Sequence, residues 1–457
     1  MANKEPSVEK KHYDVIIIGG GWAGLSAAIK LADNGKNICV LEAAKQIGGR
    51  ARQINYKDYS IDNGTHIMVG AYTSTLHLIN KVQSHANSNF KEENILERQA
   101  LNLNYKSQST INIPAIKLVA PFNILFGFIF ASGLNLKQKL LILSFGIKVK
   151  LNLFKNSNDT DLKSFLEKQK QTESIITMIW EPLCLAIMNT PINQTSTEIF
   201  LKVVKDAFFS SRVASDLLFF KKDLSSIFPT PAKEFIESKN GTVTLHQSVQ
   251  SLQNEGNCFQ IKTNRSNLSA TNIIIATAPV AAIKLLQTLN NTKALNELVT
   301  KLSSIKYQPI CTVYLHYPQP ILFDRTMQGF IGTTTQWMFR KSAPKKNGFV
   351  SVIISSQGEH MSWSNSHLIQ HVTTELNQHY PQWPQPDDAF VIREKRATFT
   401  ASVNINRIRP NNRTDINQLW LAGDYTNTQY PATIEGAVRS GLSCAKQLLE
   451  AAKTKDK

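Results

Sequence analysis

Short apolar runs near the N-terminus are separated by glycine-rich and polar turns. Residues 15–18 are apolar, and they are followed by a turn with four glycines between 19 and 24 and then by an alanine- and leucine-rich stretch. A second apolar run ends at Leu41, directly before Glu42. Because short apolar runs bounded by turns are typical of buried strands, the pattern predicts a strand, a tight turn, a helix and a second strand.

The glycines of the first turn predict a dinucleotide-binding unit. Gly19 permits a tight turn, Gly21 lets the backbone approach a pyrophosphate, and Gly24 allows the helix to pack closely on the strand. The N-terminus of that helix would point at the anion. Glu42 can accept hydrogen bonds from both hydroxyls of an adenosine ribose. The alternative is a glycine-rich turn in another kind of α/β protein.

Three later apolar runs continue this pattern. Residues 241–252 alternate as strands do, and residues 272–275 form an apolar run that ends in a turn. Residues 419–421 form a short apolar run before a glycine and an aspartate, and residues 431–437 then open a helical pattern that runs through Ser440 to Leu449. We expect these runs to be strands of the same sheet, followed by a helix.

Residues 48–52, with the sequence GGRAR, lie shortly after Glu42. A glycine pair followed by arginine at this place resembles the FAD-binding extension of the amine-oxidase and carotenoid-desaturase superfamily. The resemblance implies that Arg50 neutralises the pyrophosphate of FAD and that Gly49 leaves room for its isoalloxazine ring. The alternative is a surface loop with incidental arginines.

The same resemblance implies roles for later residues. Asp424 would contact the ribityl and pyrophosphate groups, and the helix that opens at Ile434 would lie near the flavin pyrimidine, where its dipole favours the anionic reduced ring. The backbone at Val249 would clamp the adenine, unless this is a plain core strand. The candidate cofactor-binding residues are therefore Gly19, Gly21, Gly24, Glu42, Gly49, Arg50, Val249, Gly423, Asp424 and Ile434.

Three internal segments narrow the resemblance. Residues 62–72 (DNGTHIMVGAY), 180–191 (WEPLCLAIMNTP) and 215–229 (SDLLFFKKDLSSIFP) are similar to the squalene-associated FAD-dependent desaturases, the hydroxysqualene dehydroxylases of bacterial hopanoid synthesis. The resemblance runs from about Tyr13 to Leu449. The chain departs from the family in two places, which bear on the substrate more than on the cofactor. Those departures are Thr65, where the family usually has glutamine, and residues 211–214, where it usually has glycine and arginine before an alanine-rich segment.

The resemblance implies reduction of hydroxysqualene to squalene. Reduced FAD would supply a hydride to the allylic carbon, and the protein would supply a proton so that the hydroxyl leaves as water. The reductant that recharges FAD is unknown. Two alternatives remain open: a carotenoid or phytoene desaturase-like oxidase, and a non-catalytic isoprenoid-binding escort. The complete set of FAD-binding residues argues against the escort.

The proton donor is predicted among polar residues of these motifs. Apolar surroundings raise the pKa of a carboxylic acid and keep it protonated. His66 is the best single candidate because its segment runs past the flavin in the superfamily. A structural hydrogen-bonding role is the alternative for every candidate. The candidate catalytic residues are His66, Asp62, Glu181, Asp216 and Tyr425.

A chain of 457 residues is long enough for two interleaved domains. We expect an α/β fold with a doubly wound parallel-sheet FAD-binding domain and an inserted α+β substrate domain. The FAD-binding domain would comprise residues 12–80, 240–290 and 391–451, and the substrate domain residues 81–239 and 291–390. The five cysteines are scattered and predict neither a metal site nor a disulfide framework.

The formal net charge is +17, which attracts phosphate groups of nucleic acid or anionic lipid. We expect no nucleic-acid partner, because no nucleic-acid module accompanies the charge, and a general bias towards lysine explains part of it. The opening segment lacks the apolar core of a signal peptide. These features predict a cytoplasmic protein, peripheral on the inner face of the cell membrane.

A membrane contact has local support in residues 118–136, which include no charged residue. The stretch has the length of a membrane-spanning helix, but Pro121, Asn123 and Gly127 make it a poor one. We consider two interpretations: a pocket-lining pair of helices, or an apolar surface that dips into one leaflet with lysines at the headgroups. The lysines that follow are Lys137, Lys139, Lys148, Lys150 and Lys155.

Overall fold

The computed structural model describes residues 11–57, 59–106, 110–154, 158–321, 326–340 and 348–455. Lys155 and the opening residues 1–10 lie outside this described part. The strands are β1 (His12–Ile18), β2 (Ile38–Leu41), β3 (Gln53–Tyr56), β4 (Tyr59–Asp62), β5 (Met68–Val69), β6 (Leu96–Gln99), β7 (Leu103–Lys106), β8 (Ile111–Ile113), β9 (Leu217–Phe220), β10 (Thr242–Thr244), β11 (Val249–Asn254), β12 (Phe259–Thr263), β13 (Asn267–Ile275), β14 (Tyr307–His316), β15 (Met327–Phe330), β16 (Trp337–Arg340), β17 (Phe349–Ser355), β18 (Asp388–Phe399) and β19 (Leu419–Leu421).

Helices lie between and after these strands. They are α1 (Trp22–Ala32), α2 (Thr73–Ala86), α3 (Phe122–Ile129), α4 (Leu136–Lys150), α5 (Leu162–Lys168), α6 (Glu173–Ile175), α7 (Glu181–Met188), α8 (Thr197–Phe209), α9 (Leu224–Ile227), α10 (Pro229–Ser238), α11 (Pro279–Leu286), α12 (Lys293–Ser303), α13 (Asn365–His379), α14 (Ile405–Ile408) and α15 (Ile434–Lys455). Among the described residues, α3 to α8 follow one another without a strand between them.

The first sheet has the strand order β10-β2-β1-β13-β12-β11, and β19 pairs with β13. Strands β10, β2, β1, β13 and β19 run parallel, whereas β12 and β11 are antiparallel additions. Ile16 and Ile17 are fully buried in two different apolar clusters, so β1 is covered on both faces. A strand covered on both faces needs a continuous apolar run, which is what the sequence shows. The predicted α/β class is confirmed.

The second sheet has the order β18-β14-β17-β16-β15-β7-β8. Its neighbouring strands are antiparallel except β15 and β7. Strand β18, which starts at Asp388, pairs along its length with β14 of this sheet. We therefore propose that the third segment of the cofactor domain begins near residue 400 rather than at 391.

Helices α3 and α4 form a pair at the surface of the substrate region, and both expose large apolar side chains to solvent. The buried residues of α3 are Asn123 and Gly127, while Phe122 is 49% exposed and Ile129 is 39% exposed. Helix α4 begins at a capping box between Asn135 and Gln138. Within the described ranges, no helix is both long enough and apolar enough to cross a bilayer.

Candidate cofactor and substrate site

The first glycine turn leaves no room for side chains. Gly19 has a φ of +112°, and a Cβ there would lie 2.8 Å from the carbonyl oxygen of Ala276. A Cβ on Gly24 would lie 2.0 Å from the carbonyl oxygen of Gly19. The turn between β1 and α1 therefore requires glycine, and it exposes the backbone at the N-terminus of α1.

The second glycine pair packs against the first turn. The Gly48 amide donates to the carbonyl oxygen of Gly20 at 2.8 Å, and Gly49 has a φ of +60°. A Cβ on Gly49 would lie 3.2 Å from the Cα of Gly21. The two turns form a cradle of bare backbone, which suits close approach of a pyrophosphate.

Glu42 lies at the end of β2 beside this cradle. Its Oε2 accepts a hydrogen bond from the Gly20 amide at 2.7 Å, and its Oε1 accepts one from the Ala44 amide at 2.8 Å. A carboxylate has about four acceptor positions, so each oxygen can accept a further hydrogen bond from a ribose hydroxyl. The Gln247 amide donates to the carbonyl oxygen of Glu42 at 2.9 Å, which places the segment that leads into Val249 beside Glu42.

Arg50 and Asp424 come from opposite ends of the chain and form an ion pair. The Arg50 Nη2 to Asp424 Oδ1 distance is 2.6 Å, and the Asp424 side chain is only 8% exposed. Gly423 has a φ of +159°, and a Cβ there would lie 2.4 Å from the ring of Tyr425. The guanidinium of buried Arg409 donates to the carbonyl oxygen of Asp424 at 2.8 Å and fixes this turn.

Unpaired hydroxyls surround the same turns. Within the described part of the chain, the buried hydroxyls of Thr277, Tyr307 and Tyr425 make no hydrogen bond. Burial raises the pKa of Tyr307 to about 12, with a further increase from Asp424, and burial also raises the pKa of Tyr425. Unpaired buried polar groups are rare in folded proteins, so these hydroxyls, the bare backbone cradle and the Glu42 carboxylate fit a bound FAD.

Helix α15 begins at Ile434, within the segment 431–437 that was predicted to open it, and the next residue has a role that the sequence did not predict. Glu435 is fully buried, and its carboxylate accepts hydrogen bonds from the Thr75 amide at 2.9 Å and from Arg439 at 2.7 Å. Thr75 belongs to the first turn of α2, so Glu435 joins the N-termini of α15 and α2. The sequence signal that could have identified Glu435 is its position as an acidic residue in the first turn of a helix, where a negative charge is stabilised.

Two of the five candidate catalytic residues, Asp62 and His66, have hydrogen-bond contacts that hold them in place. Asp62 Oδ1 accepts from the Leu224 amide at 3.0 Å, in a buried position between segments. His66 Nδ1 lies 3.2 Å from the carbonyl oxygen of Gly64. Glu181 begins α7, and burial raises its pKa against the opposing charge of Lys163. The fourth candidate, Tyr425, lies beside Asp424 at the cofactor cradle.

Asp216, the fifth candidate, lines an apolar cavity of about 310 Å³ beneath α3 and α4. It is 4% exposed, and burial raises the pKa of its carboxyl, although Arg212 and Arg98 oppose the increase. The Arg98 Nη1 to Asp216 Oδ2 distance is 3.6 Å. Most of the cavity wall is apolar, and it includes Leu101, Ile113, Phe128, Phe145, Trp180 and Phe208.

Polar residues gather at one place in that wall. Asn123 and Ser215 line the cavity together with Asp216, and we refer to these three residues as the polar corner. The Asn123 Nδ2 to Ser215 Oγ distance is 3.4 Å. The Gly70 amide donates to the carbonyl oxygen of Asp216 at 2.9 Å, and Gly70 leads directly into α2. Because Glu435 holds the N-terminus of α2, a short structural path joins the polar corner to the start of α15.

Comparisons with known proteins show that the chain is similar to flavin-dependent oxidoreductases over nearly its whole length. The family model described as "Flavin containing amine oxidoreductase" matches residues 22–449. A hydroxysqualene dehydroxylase from Zymomonas mobilis is 24% identical over 445 residues, covering 94% of this chain and 97% of its own. A 15-cis-phytoene desaturase from an Oncidium hybrid cultivar is 22% identical over 462 residues, covering 96% of this chain and 78% of its own. The crystal structure of an oxidoreductase from Methanosarcina mazei superposes with a TM-score of 0.74 at 14% identity, covering 94% of this chain and 99% of that one.

Proposed function

This chain belongs to the flavin-containing amine oxidoreductase family and is an FAD-dependent oxidoreductase, and on that basis we propose that it reduces hydroxysqualene to squalene. The reaction replaces an allylic hydroxyl by hydrogen on a long hydrocarbon chain. The proposal extends to this chain the activity named for its relative from Zymomonas mobilis.

The apolar cavity with its polar corner is the observation that carries the proposal. A hydrocarbon such as phytoene offers no donor for the amide oxygen of Asn123, which is buried and unpaired among the described residues, and burying such a group without a partner is costly. A long isoprenoid with one hydroxyl fits both the apolar wall and the polar corner. The cavity therefore favours an alcohol as substrate over a pure hydrocarbon.

Asp216 is the residue that we propose as the acid. Burial raises the pKa of its carboxyl, which favours the protonated form. The protonated carboxyl donates its proton to the substrate hydroxyl, the carbon–oxygen bond breaks, and water leaves. Bound reduced FAD supplies the hydride that the carbon receives. The carboxylate left on Asp216 faces Arg98 at 3.6 Å, so a cation stabilises it. The apolar wall excludes water, which would otherwise capture the electron-poor carbon.

The nearest alternative is a desaturase that removes hydrogen from phytoene. It has support, because the phytoene desaturase of Oncidium matches nearly the same share of this chain as the dehydroxylase does. The escort alternative has less support, since a protein that only holds isoprenoids has no need for Glu42 and for the Arg50–Asp424 pair at a complete cofactor cradle.

We also propose that helices α3 and α4 dock on an anionic lipid bilayer. In the part of the chain that the structure describes, strongly exposed large apolar side chains fall between residues 118 and 153, apart from Val213. Phe130 is 64% exposed and Leu136 is 73% exposed. Residues 114–154 include five lysines and no acidic residue. An apolar surface with a wholly cationic border matches the interface of such a bilayer.

Product analysis separates the two reactions. Protein reduced with dithionite under anaerobic conditions is incubated with hydroxysqualene, and oxidised protein is incubated with phytoene. We expect squalene from the first mixture, with the number of carbon–carbon double bonds unchanged, and unaltered phytoene from the second. A product of phytoene with additional double bonds, together with unreacted hydroxysqualene, would establish the desaturase instead.

A further inference from the structure

Asn123 is a buried polar residue on a helix that is otherwise apolar. It is 7% exposed and shares the inward face of α3 with Gly127, one helical turn further on. A Cβ on Gly127 would lie 3.1 Å from the carbonyl oxygen of Pro114, so α3 is packed closely against the segment before it. The side chain of Asn123 is therefore fixed at the wall of the cavity.

The hydrogen bonds of Ser215 determine which way the Asn123 amide points. Ser215 Oγ donates its single proton to the carbonyl oxygen of Arg212 at 3.2 Å. The same oxygen then accepts from Asn123 Nδ2 at 3.4 Å. The amide nitrogen therefore faces Ser215, and Asn123 Oδ1 is left buried without a hydrogen bond among the described residues.

We infer that Asn123 is a specificity-determining residue, whose Oδ1 accepts the hydroxyl proton of an isoprenoid alcohol bound in the cavity. The inference rests on the proposed function and adds a residue to it. A carbonyl oxygen buried in an apolar wall needs a donor, and an alcohol is the donor that an otherwise hydrocarbon ligand brings. Asp216 lines the same cavity as Asn123, so in this arrangement the alcohol oxygen accepts from the Asp216 carboxyl while its proton is held by Asn123.

Ser215 has a positioning role in this arrangement. It accepts a hydrogen bond from the amide nitrogen of Asn123, which leaves Oδ1 as the amide atom available to a ligand. Loss of its hydroxyl would let the amide rotate and would weaken the selection of the alcohol without removing the acceptor.

Ligand binding by the oxidised, FAD-loaded protein tests the inference without turnover. The probes are geranylgeraniol, its methyl ether, and the hydrocarbon with hydrogen in place of the hydroxyl, measured by equilibrium dialysis at one detergent concentration. The ratio of dissociation constants between two probes is compared across variants, so the different partition of the probes into detergent cancels. The methyl ether can still accept a hydrogen bond from Asp216 but has no proton to donate to Asn123, so it should bind more weakly than the alcohol.

We expect Asn123→Leu to reduce the preference for alcohol over hydrocarbon by about tenfold, and Ser215→Ala to reduce it by about threefold. Asn377→Leu is the matched control, because Asn377 also lies on a helix and has a buried, unpaired Oδ1 but does not line the cavity. It should keep the wild-type ratio. Equal ratios in the wild type and both cavity variants would overturn the inference, as would an ether that binds like the alcohol.

These outcomes are separate from those of the reaction itself. A protein that prefers the alcohol but forms no squalene would retain the binding role of Asn123 and reject the proposed reaction. A protein that forms squalene but shows no preference would retain the reaction and reject the role of Asn123. If Asn123→Leu does not fold, the comparison of alcohol with ether in Ser215→Ala and the wild type decides the question.

Discussion

Single carboxylates in this protein serve both the fold and the chemistry. Glu42 accepts backbone amides from the glycine turn and from Ala44, which fixes both of its oxygens before any cofactor binds. Asp424 is fixed in a similar way by Arg50. Groups oriented in advance lose little conformational freedom when they bind a ligand. We therefore expect substitutions at these positions to have large effects on cofactor binding.

For Glu42→Ala we predict that FAD affinity falls by orders of magnitude. Two hydrogen bonds from a charged acceptor are lost, each worth roughly 1.5–3 kcal/mol. The flavin-to-protein absorbance ratio after purification and the dissociation constant from dialysis measure the effect. Glu42→Gln is the control, because glutamine keeps the shape of the side chain and one acceptor oxygen. Its FAD affinity should lie between those of the wild type and Glu42→Ala. Full flavin occupancy in Glu42→Ala would show that Glu42 does not bind the ribose.

For Asp216→Asn we predict a single-turnover rate about 10²- to 10⁴-fold lower, with FAD retained. Burial raises the pKa of Asp216, while Arg212 and Arg98 lower it. Arg98 also forms an ion pair with Glu92, which reduces its effect on this pKa. The protonated form is the active acid, so the wild-type rate should fall as pH rises through this pKa. Arg98→Gln should move the fall to higher pH. The variant His66→Ala is measured in parallel. If Asp216→Asn reacts at the wild-type rate and His66→Ala is slow, His66 rather than Asp216 is the proton donor.

At the scale of elements, local patterns were sufficient to predict the parallel strands of the cofactor sheet and the glycine turns that follow two of them. Continuous apolar runs followed by glycine identified β1 and β19, because these features depend on neighbouring residues alone. The face that α3 buries could not be predicted in this way. From the sequence, Asn123 indicated only that residues 118–136 make a poor membrane helix. Its hydrogen-bond partner Ser215 is 92 positions away in the chain, so their contact could not be predicted from the local pattern. The buried role of Glu435 likewise depends on distant Thr75.

The α3–α4 pair should bind vesicles that contain anionic lipid, and binding should weaken as salt rises. A lysine near an anionic surface contributes about 1 kcal/mol, so Lys137→Gln with Lys150→Gln should weaken binding by about tenfold or more in a co-sedimentation assay. Lys293 and Lys446 are 92% and 71% exposed on other helices, and the same double change there is the control. If both double variants bind as the wild type does, or the wild type does not bind at all, the docking proposal fails.

At the scale of the whole molecule, the cofactor cradle forms where parallel strands end. Gly19 follows β1, Glu42 follows β2, Thr277 comes shortly after β13, and Gly423 comes shortly after β19. Carboxyl ends of neighbouring parallel strands meet at one edge of a sheet, so these distant residues converge. That convergence could be predicted from the sequence, because each strand has its own local pattern.

The substrate region was less predictable, because its cavity depends on contacts between elements that are far apart in the chain. Its cavity is enclosed by α3, α4, α7 and α8 together with β7 and β8. None of these elements shows from its own sequence that it borders a cavity. The resemblance to a known family supplied the substrate class. We propose Asp216 and Asn123 from the cavity that they line, and the role of His66 as the acid stays a prediction.

In the proposed reaction, a hydride from the flavin replaces a protonated hydroxyl. Fully reduced protein with deuterium at flavin N5 is mixed anaerobically with one equivalent of hydroxysqualene, and flavin absorbance and products are followed faster than N5 exchanges with solvent. We predict one squalene for each flavin reoxidised, with deuterium at the former carbinol carbon. Squalene without flavin reoxidation, or flavin that stays reduced while hydroxysqualene is unchanged, would contradict the account.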